Sequence, residues 1–296
     1  MKPLLQRALD VSTQRVQTMD NIFNSINLPI PQGFTEKDVD ANVQPLFSDT
    51  FRMLYTRLMH KYDLINYAKA LTTAYRLDLR NFYSQALEDS KGIFQKFTDI
   101  LLGKGVLPKA PSIVIPDRVD TVHTKKYFGN FLGSVFTDQR PLNALEIGQI
   151  YTIIETDQLI RTLKTAYAQV VKSREVLNYL LWCKEKLESH MRKLTEILEK
   201  EEIPVPVISE VLVTDSRQSP YSDKLILSHF TATTAFQITA VGLVMPDISR
   251  KDVVLAMAGI TTDLLQIAKR GAELMIESGW LERIPQTVNR EELIMH

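Results

Sequence analysis

The chain has 296 residues, and its 35 basic and 35 acidic side chains leave no formal net charge, so it lacks the electrostatic footprint of a nucleic-acid or anionic-membrane binder. That length suits two ordinary domains, each burying a core of its own. Cys183 is the sole cysteine, which excludes an internal disulfide and a cysteine-based zinc cage; its place on a helical apolar stripe makes it a small core residue. The opening stretch has no apolar signal-peptide core, and no apolar run approaches the roughly 18 residues of a membrane span. The expectation is a soluble protein of the cytosol.

Helical periodicity runs from Lys2 to Ile26 and exits through Pro29 and Pro31. Further helices are predicted at about Leu46 to Tyr75 and Arg76 to Lys104. Pro108 to Pro141, with the cluster "YFGNFLGSVF", is predicted to be a linker docked on the helices, since aromatics at that density seldom stay in water. A long helix is predicted over Leu142 to Ser173, with Ile147, Ile150, Ile154, Leu163, Tyr167 and Val170 at helical spacing. The next carries Val176, Leu180, Cys183, Leu187, Leu194 and Leu198, and exits through Pro204 and Pro206. A third, from about Tyr221 to Val244, is broken by Pro246. Ser249 and Asp252 form a capping pair that opens the fourth, which runs to the stop at Gly279.

The two Pro-X-Pro exits are 175 residues apart, as are Asp40 and Asp215, and Pro45 and Pro220. One residue then drops out, and at 174 Ser48-Asp49 falls on Ser222-Asp223, Arg76-X-Asp78 on Arg250-X-Asp252, and Gly105 on Gly279. So long a period means duplicated domains rather than solenoid units. The division is residues 1–107 for the first repeat, 108–140 for the linker and 141–296 for the second repeat. Met1 aligns with Val176, so the first repeat has three helices and no counterpart of Leu142 to Glu175. This predicts a shortened reading frame or a genuine fragment. It also predicts an apolar groove, which the linker, the second repeat or another molecule would cover.

Helices of about 30 residues are about 45 Å long, and a connection of about 18 residues reaches roughly 59 Å. The middle connection can therefore travel the length of a bundle while the outer turns are short. The fold class expected is all-α: tandem ferritin-like four-helix bundles, each with one long crossover.

Chemistry is sparse. There is no Gly-X-Ser-X-Gly, no phosphate-cradling glycine loop and no Cys-His pair, so no enzyme is expected. A di-iron ferritin-like site needs Glu-X-X-His pairs, but Leu187 stands three residues before His190. A weaker set remains: Asp157, His190 and His229 lie on apolar stripes, Asp157 and His190 sit at similar depth about the hinge near residues 173 and 174, and Asp263 from the fourth helix could complete the set. Such a mixed set would suit Fe, Mn or Zn; otherwise no cofactor is expected, and a hydrogen-bonded structural role is the alternative. His60, His123 and His296 show no partners.

The segments "LPIPQGFTEKDVDANVQPLFSDTF", "RPLNALEIGQIY", "VTDSRQSPYSDKL" and "IESGWLERIPQTVNREEL" resemble the domain of unknown function 3231 family, two-copy helical proteins of Bacillus-type spore formers, some of which carry a spore coat label. The resemblance implies a tandem of ferritin-like bundles and no established activity. His190 matches the family's histidine on the second helix; Arg15, its counterpart in the first repeat, does not. Two functions of different class follow: a non-catalytic helical protein with a structural or binding role, associated with sporulation or the spore coat, or a metal-binding bundle. Spore-coat proteins, and a second copy meeting the incomplete first repeat, are the partners expected.

Overall fold

The computed structural model describes residues 2–124, 127, 140–208 and 212–295. These form α1 (Lys2–Ser25), α2 (Asp49–Thr73), α3 (Leu77–Gly103), α4 (Ala144–Val170), α5 (Arg174–Glu199), α6 (Asp223–Val244), α7 (Lys251–Glu277) and a short α8 (Arg290–Ile294). Among the described residues there are no strands, only two isolated antiparallel bridges. Most of "YFGNFLGSVF" lies outside the described residues; its first residue, Tyr127, stacks under the Arg140 guanidinium 4.3 Å from the ring centre.

Helix ends follow local chemistry and repeat with the duplication. Ser48 and Ser222 cap α2 and α6 by accepting from the amides of Phe51 and Leu225. Asn27 and Glu202, immediately before the two Pro-X-Pro exits, both adopt left-handed backbone, at φ 52° and 56°. That turns the next amide back onto Phe23 O and Leu198 O, and proline then prevents the helix from continuing. Gly105 and Gly279, each at φ 68°, end α3 and α7 in the same way. Ser249 does not act as the expected cap: Arg250 holds that position without a side-chain cap, and the Ser249 amide donates instead to Glu146 on α4.

In the second repeat α4 packs on α5 and α6, and α7 packs on α5 and α6. Tyr167 meets His229 while Asp157 meets Gln237, so α4 and α6 run in opposite directions. Tyr179 meets Ile267 while Lys186 meets Asp263, so α5 and α7 do too. The connection from α5 to α6 climbs along α4: Tyr151 donates to Pro204 O, Gln158 to Pro206 O at 2.6 Å, and Gln169 to Thr214 O at 3.1 Å.

The first repeat meets the second through α2, which packs on α4. The contacts exchange by a two-fold relation. Asp40 N donates to Pro220 O and Thr214 N to Leu46 O; Ser222 N donates to Asp38 O and Ser48 N to Leu212 O. Each pair maps onto the other at an offset of 174 (214 − 40; 220 − 46). The structural register is therefore 174 already at Asp40, and the single-residue gap falls earlier than the matches Asp40/Asp215 and Pro45/Pro220 indicate. Tyr62 and Phe236, also 174 apart, stack across the same joint at 4.9 Å.

The uncovered groove is mainly apolar in surface, as expected, but polar side chains pack beside it. Arg15 on α1 donates to Asp63 at 2.9 Å, to Ala86 O at 2.8 Å and to Ser90 at 2.7 Å. Ser12 is exposed where its counterpart, Leu187, is fully buried. An open groove of about 520 Å³ between α1 and α3 presents mostly apolar surface, with Gln14, Asn21, Asn81 and Asp89 also in its lining. Leu9 and Val16 remain exposed on α1.

Candidate functional site in the second repeat

The inward stripe of α4 runs Ile153, Asp157, Ile160, Lys164, Tyr167, at steps of four and three that keep one face toward the core. Two charged residues thus sit in a fully buried row. Asp157 Oδ1 accepts from Gln237 Nε2 at 2.7 Å. Burial pushes its carboxyl up to about 7, against the pull of that bond and of the Lys164 charge. Lys164 is fully buried, its ammonium 4.2 Å from the centre of the Phe230 ring. Burial pulls it down to about 8. Cys183, facing Lys164 from α5, is fully buried, and burial pushes its thiol up to about 11, so it is no reactive thiolate.

His190 Nε2 lies 3.1 Å from Asp263 Oδ2, and Lys186 donates to the other oxygen at 2.7 Å. Burial pushes the Asp263 carboxyl up, but the Lys186 and His190 hydrogen bonds outweigh it and hold the group below the usual carboxylate range. Burial drives His190 down to about 4, so the ring is neutral, donates from Nε2 and presents a bare Nδ1 to the core. That Nδ1, Asp157 Oδ2, Gln237 Oε1 and Lys164 Nζ are all buried without a hydrogen-bond partner.

His229 belongs elsewhere. Its Nε2 lies 2.6 Å from Tyr55 Oη and its Nδ1 2.5 Å from Tyr167 Oη. Burial alone lowers it to about 4. The stripe of α6 that carries His229 and Phe236 faces the first repeat, whereas the adjacent stripe of Phe230 and Gln237 faces the core of its own repeat. Nearly every face of α6 is apolar because it packs on both sides, so the sequence does not distinguish the two stripes.

The four residues expected to hold a metal therefore do not form one site. His190 and Asp263 meet; Asp157 is bonded to Gln237 rather than to His190, and His229 is held between two tyrosines. Among the described residues no group of three His, Cys, Asp or Glu side chains is placed to hold a metal ion. Lys164 and Gln237 escaped the sequence reading, although Lys164 sits at i+7 from Asp157 on a periodic apolar stripe, which was the available signal.

In the first repeat His60 has partners after all: its Nδ1 lies 3.2 Å from Asp63 and 3.4 Å from Ser90. Both contacts use one nitrogen, so the imidazole cannot relay a proton between Ser90 and Asp63 in the manner of a catalytic triad. Glu146, fully buried at the start of α4, accepts from Arg140 at 2.8 Å, from Asn143 N at 3.0 Å and from Arg250 N at 2.8 Å. Burial pushes its carboxyl up, but these bonds prevail and hold it at about 2. It is a capping carboxylate for two helices at once.

These elements define an all-helical protein of two related repeats, with polar residues buried in each core. No helix among the described residues is long and apolar enough to cross a membrane. The family model described as "Protein of unknown function (DUF3231)" matches residues 1–119 and 130–293, and the chain belongs to that family. No curated protein matches the chain. A crystal structure titled as that of a "putative spore coat protein" from Bacillus halodurans C-125 is similar over 51% of this chain and 98% of its own, at 15% identity and a TM-score of 0.46.

Proposed function

We propose that the chain is a tandem of ferritin-like four-helix folds, the first without its opening helix, serving as a non-catalytic scaffold or binding protein. Support for the ferritin-like reading comes from α4 and α6, and α5 and α7, running oppositely while the α5–α6 connection travels the length of α4. The division into residues 1–107, 108–140 and 141–296 belongs to the same proposal.

One observation carries the non-catalytic, metal-free reading: Lys164, fully buried, places a side-chain ammonium in the interior of the second repeat, where this architecture otherwise gathers metal ligands. A resident cation of the chain itself repels a metal ion. Elemental analysis of untagged protein purified without chelators tests it, beside a His190→Ala variant. Metal-free protein in both is expected. Near-stoichiometric iron, manganese or zinc that disappears in the variant would replace this reading with a second one, a metal site built on His190 and Asp263, which their 3.1 Å contact favours.

Spore association is part of the proposal and is supported by the motifs shared with proteins of spore formers. It predicts recovery from spore extracts, with spore-coat proteins as partners; steady expression in vegetative cells would count against it. A cytosolic site of synthesis and pairing of two copies through exposed Leu9 and Val16 on α1 are extensions of the same reading, the second testable by sedimentation.

A further inference from the structure

Four buried acceptors of the second repeat lack donors: Asp157 Oδ2, Gln237 Oε1 and His190 Nδ1, and Gln158 Oε1, whose side chain donates to the α5–α6 connection instead. One buried donor lacks acceptors, the Lys164 ammonium, with three N–H bonds to place. Unmade bonds of this kind are costly in a core, and the two shortfalls are complementary in sign.

Their placement is complementary too. Lys164 follows Asp157 by seven residues, two helical turns on one face, roughly 10 Å along the axis. Side chains on a helix lean toward its N-terminus, so the long Lys164 chain runs back over the intervening turn toward Asp157. Gln237 is bonded to Asp157 at 2.7 Å. Arg161 meets Glu188 across the α4–α5 hairpin, a register that sets His190 near the level of Asp157, and the Lys164 charge acts on both Asp157 and His190.

We propose that Asp157, Gln237 and His190 form a cation site that the chain fills with its own ammonium, that of Lys164, joined to them through internal water. The inference rests on the metal-free reading above and deepens it: the second repeat has a cation site whose ligand is covalently attached. Water is the natural bridge, because a polar interior with several convergent partners holds it while an apolar one stays dry.

The test is to detach the ligand. Lys164→Ala in the full chain leaves room for methylammonium. Methylammonium at millimolar concentration is expected to raise the melting temperature of that variant by several degrees in a saturable way, while methanol does not, and neither changes Lys164→Met, where the side chain fills the space. Zinc is expected to bind Lys164→Ala and not the native chain. Equal effects of methylammonium and methanol would overturn the proposal.

Should Lys164→Ala fail to fold, Lys164→Met gives a second route. Asp157→Asn is expected to destabilise the native chain but to be neutral or stabilising in the Lys164→Met background. An equal cost in both backgrounds would overturn the proposal. Zinc bound by the native chain would instead refute the metal-free reading, so the two failures are distinguishable.

Discussion

Tyr55 Oη lies 2.6 Å from His229 Nε2, and the two residues occupy equivalent positions, 174 apart, in the two repeats. The joint between the repeats is thus built where the sequence departs from its own symmetry. A tyrosine facing its own duplicate would offer two hydroxyls; a histidine in one copy supplies both a donor and an acceptor, and Tyr167 takes the second nitrogen.

Replacing His229 by phenylalanine strands two buried hydroxyls and should cost about 2–4 kcal/mol in urea unfolding. Tyr55→Phe, which removes one partner and keeps the ring stacking on Phe51, should cost about 1 kcal/mol.

The same histidine carries a pH dependence. Its native value of about 4 lies below the free value of 6.5, so between them the unfolded chain binds more protons. Its stabilising contribution is complete above about pH 6.5 and is lost as pH falls toward 4, on the order of 3 kcal/mol in all. Asp157 acts oppositely: its carboxyl, raised to about 7, favours the folded chain as pH falls below 7. The two are separated by comparison: in His229→Gln the fall in urea midpoint between pH 6.5 and 4 should be shallower than in the native chain.

Glu146→Gln keeps the shape of a carboxylate that accepts from Arg140 and two helix starts but removes its charge. The expected cost at pH 7 is about 2–4 kcal/mol, because Arg140 and the amides of Ser249 and Arg250 lose a charged acceptor. With a folded value of about 2 against 4.5 unfolded, the carboxylate stabilises above about pH 4.5 and ceases to as pH approaches 2. The difference between variant and native melting temperatures should therefore shrink below pH 4.

The duplicated caps are not equal in value. Ser48→Ala removes one cap bond and should cost about 1 kcal/mol. Ser222→Ala also removes the 2.6 Å bond to Asp38 of the first repeat, so denaturant titration should show a larger loss, about 2 kcal/mol.

Two helical glycines of α7 should respond with opposite signs. A Cβ on Gly271 would meet Tyr179 Oη at 2.5 Å, and that hydroxyl is fixed by its 2.8 Å bond to Ile267 O. Gly271→Ala should destabilise by about 1–3 kcal/mol. A Cβ on Gly259 meets only the flexible end of Lys193 at 4.0 Å, so Gly259→Ala should stabilise by about 0.5–1 kcal/mol, the helix-propensity gain. Thermal melts of the two variants check both signs.

The sequence by itself determined the helices, their ends and the duplication, because these rest on local physics. Apolar spacing marks a helix wherever it occurs, and a serine cap, a left-handed glycine or a Pro-X-Pro exit acts within one turn. Asp157 and His190 were legible as inward-facing for the same reason. Only the tertiary structure decided which of them meet. Periodicity assigns a residue to a stripe but not the neighbour that the stripe faces, and on α6, apolar nearly all round, adjacent stripes face different repeats. His229 therefore went to Tyr55 and Tyr167 while Gln237 reached Asp157. The one-residue register of the joint was equally hidden, since the backbone hydrogen bonds that fix it join Asp40 to Pro220 and Thr214 to Leu46, residues that only the packing of the two repeats brings together.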